Sequence, residues 1–365
     1  MKKVIYFVSE DWAFLNHRLE IAKIVQKKGY KIVLITNVSD CKNLIEKKNI
    51  EVIPIKMERG SLNIRKSIKT IYNLVKIYNK INPYLVHNFG LKQIIYSNIA
   101  ARFSKTKKSF NSVIGLGSVF ISGNFLIKFF AINALRFSLF FKNSKVLVQN
   151  KDDYIFFKKK IWIREKNLFL NSASGINLKK YTVSREPRGK IVFLFASRLL
   201  KDKGLLELIE AASKLRKITK NFKLYIAGKI DTENPSSLSH EEIKSWEACD
   251  YIKYIGYQNN MNEVYKQIHV AILPSYREGL PKVALEAASS EMPLILSNVS
   301  GCRDCLIEGK TGFLVGHNSW TDIRDKMLYF IQHRDQIVVM GKKSRQFVES
   351  NFSEKILFKT LKAIN

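Results

Sequence analysis

The stretch IVFLFASRLLKDKGLLELIEAASKL, residues 191–215, decides the fold. Its first six residues, Ile191–Ala196, have the length and the aromatic and β-branched content of a strand buried on both faces. After a polar turn, Leu205, Leu208, Ile209, Ala212 and Leu215 recur at helical spacing. A buried strand feeding an amphipathic helix is half of a βαβ unit, from which parallel sheets are built. The alternation continues through Phe222–Ala227, Tyr251–Ile255, Val270–Leu273 and Pro293–Leu296. Upstream, the same reading predicts strands at Val4–Val8, Lys31–Ile35, Val52–Ile55, Tyr84–His87 and Lys145–Val148. Helices are expected at Leu15–Lys28, closed by Gly29, and at Ile64–Asn79, closed by Asn82-Pro83.

Between the two series lies TVSREPRG, residues 182–189, whose polar, Pro- and Gly-containing composition reads as a linker. The expected architecture is therefore α/β, with two doubly wound Rossmann-like domains facing a cleft. Residues 1–182 form the first, 183–350 the second, and 351–365 a terminal helix that packs back on the first. In such folds a nucleotide-sized ligand lies at the carboxyl ends of the strands.

A chain of 365 residues that is 46% hydrophobic can bury two cores of this size. Cys302 and Cys305 form a lone C-x-x-C, and Cys41 and Cys249 lie far from it, so the thiols read as reduced and the compartment as the cytoplasm. Lys2 and Lys3 precede Val4–Val8, but that run stops at Ser9-Glu10-Asp11, too short for a signal sequence. No apolar stretch approaches the ~20 residues that cross a bilayer. The formal charge is +31, and it is uneven: residues 1–170 carry 32 Lys and Arg against 10 Asp and Glu, the remainder 30 against 21. The first half is thus expected to face a polyanion, either nucleic acid or an anionic membrane. A lysine-rich coding bias would produce a basic surface without any partner.

Three strand-to-helix turns in the second half carry chemistry. In the first, Arg198 and Lys203 stand where a strand end meets a helix start, with Asp202 as the expected helix cap. Cations beside a helix amino terminus form a receptor for a diphosphate. The second, PSYREGLPKVALE at residues 274–286, puts Glu278 in the loop and Glu286 inside the following helix, with Pro281 suited to its first turn. At ~1.5 Å per residue, Glu286 lies about 7–8 Å beyond Pro281. Two carboxylates so placed can accept hydrogen bonds from hydroxyls on either side of a phosphate, and a nucleotide sugar has that layout. Gly279 lets the backbone approach the ligand. The third turn, Ser297–Asp304, again ends a strand and opens a short helix.

The spacing Glu278-x7-Glu286 in EGLPKVALE resembles the E-x7-E signature of family 4 retaining glycosyltransferases of the GT-B fold. SRLLKDKG resembles that family's G-R-L-x-x-x-K-G, and GCRD…EGKTGFLV its following segment, in matching order from Ser197 to Val315. The first half is similar through VSEDWAFLNHRLEIAKIVQKKGYKIVLIT and VHNFGLK, and the whole is similar to bacterial enzymes that extend lipid-linked oligosaccharides for capsule, O-antigen or glycoprotein glycans. The resemblance implies an N-terminal acceptor-binding domain and a C-terminal nucleotide-sugar-binding domain. It implies that Arg198 and Lys203 bind the donor diphosphate and stabilise the leaving group. Glu278 would contact the transferred sugar, with Gly279, Leu280 and Pro281 giving backbone contacts. Glu286 would hold the ribose, while Gly256 and Tyr257 border the base. Ser197 departs from the family, which often has Gly there. The resemblance also implies a first-half histidine in the catalytic cleft, a second point of departure: His87, at an expected strand end, is the acceptor-side candidate, with a structural histidine as the alternative, and the turn Ile114–Gly117 carries none.

No Asp-x-Asp follows a strand, so no metal ligand set and no cofactor are expected; the nucleotide sugar, UDP-linked in the commoner case, is a substrate. The resemblance implies a lipid-linked saccharide as the acceptor. The segment Val119–Phe141, rich in Phe, Leu and Ile and interrupted by Asn124, Lys128, Asn133 and Arg136, has an interfacial rather than a spanning pattern. Lys105, Lys107, Lys108, Lys142 and Lys145 add attraction to an anionic leaflet, which predicts a peripheral protein on the inner face of the cell membrane. Burial as a cleft-lining core helix is the alternative. Among rival functions, nucleic-acid binding lacks a module of interleaved basic and aromatic residues. A nicotinamide oxidoreductase lacks G-x-G-x-x-G after a strand. A GT-B-fold epimerase or phosphorylase stays open.

Overall fold

The computed structural model describes residues 1–57, 63–116, 124–140, 143–171, 175–181, 188–231, 234 and 236–353. The expected linker from 182 to 187, residues 119–123 and 141 of the interfacial segment, and the terminal helix from 354 onward lie outside the described residues. The chain divides into two compact units, the second beginning at Gly175.

The first unit runs β1 (Lys3–Glu10), α1 (Asp11–His17), α2 (Leu19–Lys27), β2 (Lys31–Asn37), α3 (Lys42–Glu46), β3 (Glu51–Pro54), α4 (Ile64–Ile81), β4 (Leu85–Phe89), α5 (Leu91–Arg102), β5 (Ser109–Ser112), α6 (Phe125–Leu139), β6 (Ser144–Val148), α7 (Lys151–Phe156) and β7 (Leu168–Leu170). The strands make one sheet in the order β3-β2-β1-β4-β5-β6-β7, every pair parallel. Val4 pairs with Ile32 on one side and Leu85 on the other. Ile5, Phe7, Val33, Ile35, Val86, Leu74 and Tyr78 form a core between the sheet and α4.

Two expectations need correction here, and one strand was not foreseen. The helix foreseen at Leu15–Lys28 is two helices, broken at Arg18. That residue leaves helical geometry to bury its side chain, with the guanidinium 4.7 Å from the centre of the Phe89 ring. The strand foreseen to end at His87 continues to Phe89. Strand β5, sequence SFNS, has no apolar signature and escaped notice. It is buried because Asn111 accepts from the Asn88 and Asn98 side-chain amides, both at 2.9 Å, and donates to Ser144 Oγ at 2.9 Å.

The second unit contains β8 (Ile191–Ala196), α8 (Leu205–Arg216), β9 (Phe222–Ala227), α9 (His240–Glu247), β10 (Ile252–Gly256), α10 (Met261–Tyr265), β11 (Val270–Leu273), α11 (Lys282–Ser289), β12 (Leu294–Ser297), β13 (Gly312–Val315), α12 (Trp320–Gln332) and α13 (Arg334–Phe352). Its sheet, also wholly parallel, has the order β10-β9-β8-β11-β12-β13. Phe193, Phe195, Phe222 and Leu224 sit at its centre with no exposure. Both sheets reverse direction of winding beside their first strand, between β1 and β4 and between β8 and β11. That reversal opens a crevice at the carboxyl ends. The expected fold class, α/β with two Rossmann-like parallel sheets, is the observed one.

Candidate active site

Strands β8 and β11 are neighbours and parallel, so their outgoing loops emerge side by side. After β8 the chain makes a 3-10 turn over Lys201–Lys203 and enters α8 through Gly204, whose φ is +70°. A Cβ at that position would lie 2.0 Å from the Pro274 carbonyl oxygen, so the two loops touch where only glycine fits. The helix is therefore capped by Gly204 and not, as expected, by Asp202. Asp202 instead ties the loops together. Its carbonyl accepts from the Tyr276 amide at 2.9 Å and its carboxylate from Arg277 Nη2 at 2.9 Å.

This junction brings two predicted residues into contact. Lys203 Nζ donates to Glu278 Oε1 at 2.6 Å, and the Ser275 hydroxyl donates to the same oxygen at 2.8 Å. The lysine and glutamate side chains are 14% and 13% exposed, sheltered yet reachable. The third turn supports the pair from below. Gly301, at φ +79°, packs so closely that a Cβ would stand 2.3 Å from the Gly279 carbonyl oxygen. Cys302 beside it is buried, and burial first, then the Glu278 charge, pushes its thiol up to about 12. Cys305 donates from its thiol to the Gly301 carbonyl at 3.2 Å. Both thiols are free, protonated packing groups.

Arg198 leaves the same loop but faces another partner. Its Nη1 donates to Asp231 Oδ2 at 2.8 Å, in the loop after β9, and its side chain remains 48% exposed. Gly256 ends β10, and Tyr257 beyond it is exposed. Leu280 is half-buried and Pro281 buried; Pro281 occupies the cap before α11 and not the helix's first turn.

Glu286, on α11, is 8% exposed and already engaged. Tyr181 donates to its Oε1 at 2.7 Å and Tyr265 to its Oε2 at 3.3 Å, while Lys282 Nζ lies 3.4 Å from Oε1. Burial first, and the Glu286 charge second, raise both phenols well above their ordinary range, so each stays a donor. The residues expected to bind the donor thus lie in the loops after β8 and β11, at the end of β10 and just beyond it, and within α11. Lys203 and Glu278 touch, whereas Arg198 and Glu286 each have separate partners.

His87 belongs to the first unit. It is the third of five residues in β4, buried against Tyr6, Phe89 and Phe110, with ring centroids 4.0–5.1 Å away. Its Nε2 shares a hydrogen bond with Ser112 Oγ at 2.9 Å. Burial first, then the Arg18 charge, hold its imidazole well below the usual 6.5. Elsewhere in that unit, α6 buries only Leu135, Ser138 and Leu139 and turns Phe125, Leu126, Phe129, Phe130 and Phe137 to solvent. Phe125 is 78% exposed, and Phe140 just beyond the helix 87%. Arg136 lies within that aromatic face, its guanidinium 3.6 Å from the centre of the exposed Trp162 ring. Among the described residues, no group of three or more His, Cys, Asp or Glu could hold a metal, and no helix is long and apolar enough to cross a membrane.

Sequence reasoning missed Ser275, Asp231, Tyr181 and Tyr265. Ser275 could have been found from its three-residue spacing to Glu278. Asp231 and the tyrosines lie between 21 and 105 residues from their partners, where no local pattern reports a contact.

Residues 3–150 match the family Glycosyl transferase 4-like, and residues 179–347 match Glycosyl transferases group 1. The chain is 26% identical over 359 residues to the N,N'-diacetylbacillosaminyl-diphospho-undecaprenol alpha-1,3-N-acetylgalactosaminyltransferase of Campylobacter jejuni, covering 94% of this chain and 93% of that one. It is 23% identical over 377 residues to the capsular polysaccharide biosynthesis glycosyltransferase CapM of Staphylococcus aureus, covering 100% and 96%. The fold is similar, with a TM-score of 0.77 and 14% identity over 99% of this chain and 100% of the other, to the crystal structure of Anabaena Alr3699/HepE in complex with UDP and glucose.

Proposed function

Starting from a chain that belongs to the glycosyltransferases, with a 4-like domain followed by a group 1 domain, we propose that it moves a hexose or N-acetylhexosamine from a UDP-linked donor to a hydroxyl of a lipid-linked saccharide, with retention at the anomeric carbon. The observation that carries this reading is the Lys203–Glu278 pair at 2.6 Å, on adjoining loops at the winding reversal of the second sheet. A cation there meets the charge that grows on the departing diphosphate, and the carboxylate beside it accepts from sugar hydroxyls. Half-exposed Arg198 supplies the second cation, and Asp231 aims it. Gly256, Tyr257, Gly279, Leu280 and Pro281 border the donor, and Glu286 takes the ribose.

In the step proposed, the bond from the anomeric carbon to the phosphate oxygen breaks, the acceptor oxygen bonds to that carbon from the same face, and the acceptor proton passes to the departing phosphate. Glu278, bound to Lys203 and Ser275, serves electrostatically in this scheme and is not the nucleophile. Cations and the α8 amino terminus neutralise the diphosphate, so the reaction is proposed to need neither metal nor cofactor. His87, neutral and shielded by aromatic rings, shapes the acceptor side by packing and hydrogen bonding.

The two curated relatives bear names that speak of an undecaprenol-diphosphate-linked saccharide and of capsular polysaccharide, which supports a lipid-linked acceptor in surface glycan synthesis. Such an acceptor lies in a membrane, and the outward aromatic face of α6 suits one. Rings on a solvent-facing helix, with Arg136 and Trp162 among them and Lys158, Lys159 and Lys160 adjacent in sequence, combine apolar insertion with attraction to anionic headgroups. We therefore place the protein peripherally on the inner face of the cell membrane, with nucleic acid no part of the scheme.

A panel of nucleotide sugars, scored for slow donor hydrolysis and thermal stabilisation, tests the activity. One responding donor with a diphosphate is expected. Response to none, together with a salt-sensitive gel shift on nucleic acid, would replace this function with the rival one.

A further inference from the structure

A carboxylate on a helix side chain turns freely about its last bond, so two oxygens meant for a ligand need to be held. Glu286 is held from two directions. Tyr181 reaches it from residues 175–181, the segment that opens the second unit, and Tyr265 from the end of α10; the rings meet edge to face at 6.0 Å. Tyr181 gives Oε1 a short bond of 2.7 Å, and Lys282 also approaches that oxygen. Oε2 receives only the longer 3.3 Å bond from Tyr265 among the bonds described, so it keeps the larger share of its accepting capacity. Phenols that remain protonated can only donate to the carboxylate, which keeps the polarity of the arrangement fixed.

The Tyr181 backbone is anchored in turn. Arg345 of α13 donates from Nη1 to the Tyr181 carbonyl at 2.6 Å and also to the Ser289 carbonyl, at the end of the helix that carries Glu286. Its Nη2 donates to the Leu178 carbonyl at 3.4 Å. One guanidinium therefore clamps the tyrosine's segment and the glutamate's helix to each other.

We propose that Tyr181 and Tyr265 are positioning residues that set the Glu286 carboxylate to receive vicinal ribose hydroxyls, and that they thereby confer preference for a ribonucleotide over a 2′-deoxyribonucleotide donor. This rests on the reading that Glu286 takes the ribose, and the experiment separates the two. The probes are UDP, or the nucleoside diphosphate that the donor panel selects, and its 2′-deoxy form. Binding is measured by calorimetry on the full chain for the native protein, Glu286→Gln, Tyr181→Phe, Tyr265→Phe and the double phenylalanine variant. Phenylalanine keeps the packing and removes only the donor; each variant's melting temperature reports whether it is folded.

The native protein should bind the ribo form about tenfold or more tightly than the deoxy form, the size of one hydrogen bond to a charged group. Each single phenylalanine should weaken the ribo form several-fold and the deoxy form, which keeps only its 3′-hydroxyl, by less, and the double variant should bring the ratio to within about twofold. In turnover the loss should fall on the donor KM and not on kcat. A native preference that survives in both folded single variants overturns the positioning role and leaves the Glu286 reading intact. A native protein and Glu286→Gln that both bind the two forms alike overturn that reading, and this proposal with it.

Discussion

Replacing Lys203 with alanine separates catalysis from folding, because the structure assigns the two effects different sizes. The side chain makes one charged hydrogen bond, 2.6 Å to Glu278, and Glu278 keeps a second at 2.8 Å from Ser275. A hydrogen bond to a charged group contributes about 1.5–3 kcal/mol, and the water that reaches this pair reduces that to ~1–2 kcal/mol. At roughly 2–4 °C per kcal/mol for a domain of this size, the melting temperature should fall by about 2–8 °C. That leaves the variant folded at 25 °C. The rate effect is larger. Removing one group that meets charge on the departing diphosphate costs about 3 kcal/mol, or ~10² in kcat/KM. The assay is nucleoside diphosphate release, followed beside thermal unfolding. Lys266→Ala is the control: its pair with Glu263 has the same 2.6 Å length but stands 45% and 59% exposed, and its loss should leave turnover unchanged. Native turnover in Lys203→Ala, or a loss matched by Lys266→Ala, would refute the reasoning.

Two further outcomes follow from the first unit. His87 is held well below 6.5, so an unfolded chain takes up a proton that the folded one refuses; stability present above about pH 6.5 is lost as pH falls below it. The melting temperature should drop between pH 7.5 and pH 5.5, and by less in His87→Gln; equal drops would acquit the histidine. Changing Phe125, Phe129 and Phe130 together to serine removes three exposed rings from α6, each contributing about 1 kcal/mol on insertion, and should weaken flotation with phosphatidylglycerol vesicles roughly 10²-fold. Native protein that floats equally with phosphatidylcholine would end the anionic-membrane assignment.

The sheets were legible because buried parallel strands are continuous apolar runs: Ile191–Ala196, Phe222–Ala227 and Val270–Leu273 are observed with the bounds expected. Strand β5 was not, because Asn111 is buried through hydrogen bonds made to residues up to 34 positions away. The break at Arg18 was hidden for a similar reason. An apolar stripe at helical spacing does not reveal that one cation will leave the helix to lie over a phenylalanine 71 residues later. In the candidate site, motif spacing singled out Lys203 and Glu278, and the adjacency of β8 and β11 brings the two into contact. Asp202 misled, since an aspartate before a helix is usually its cap; here Arg277, from the neighbouring loop, competes for it. For α6 the composition pointed to an interface, but only the packing reveals that the rings face outward and that Arg136 lies among them.

The winding of the first sheet also sets a schedule for its assembly. Strand β1 sits between β2 and β4, and β4 begins at Leu85. At ~5–20 residues per second of synthesis, the ribosome needs about 4–15 s after finishing β1 to deliver β4. Throughout that interval one flank of Ile5 and Phe7 has no strand beside it. A nascent chain with such an open, apolar edge invites chaperone binding, and truncations ending before residue 89 should be recovered as aggregates.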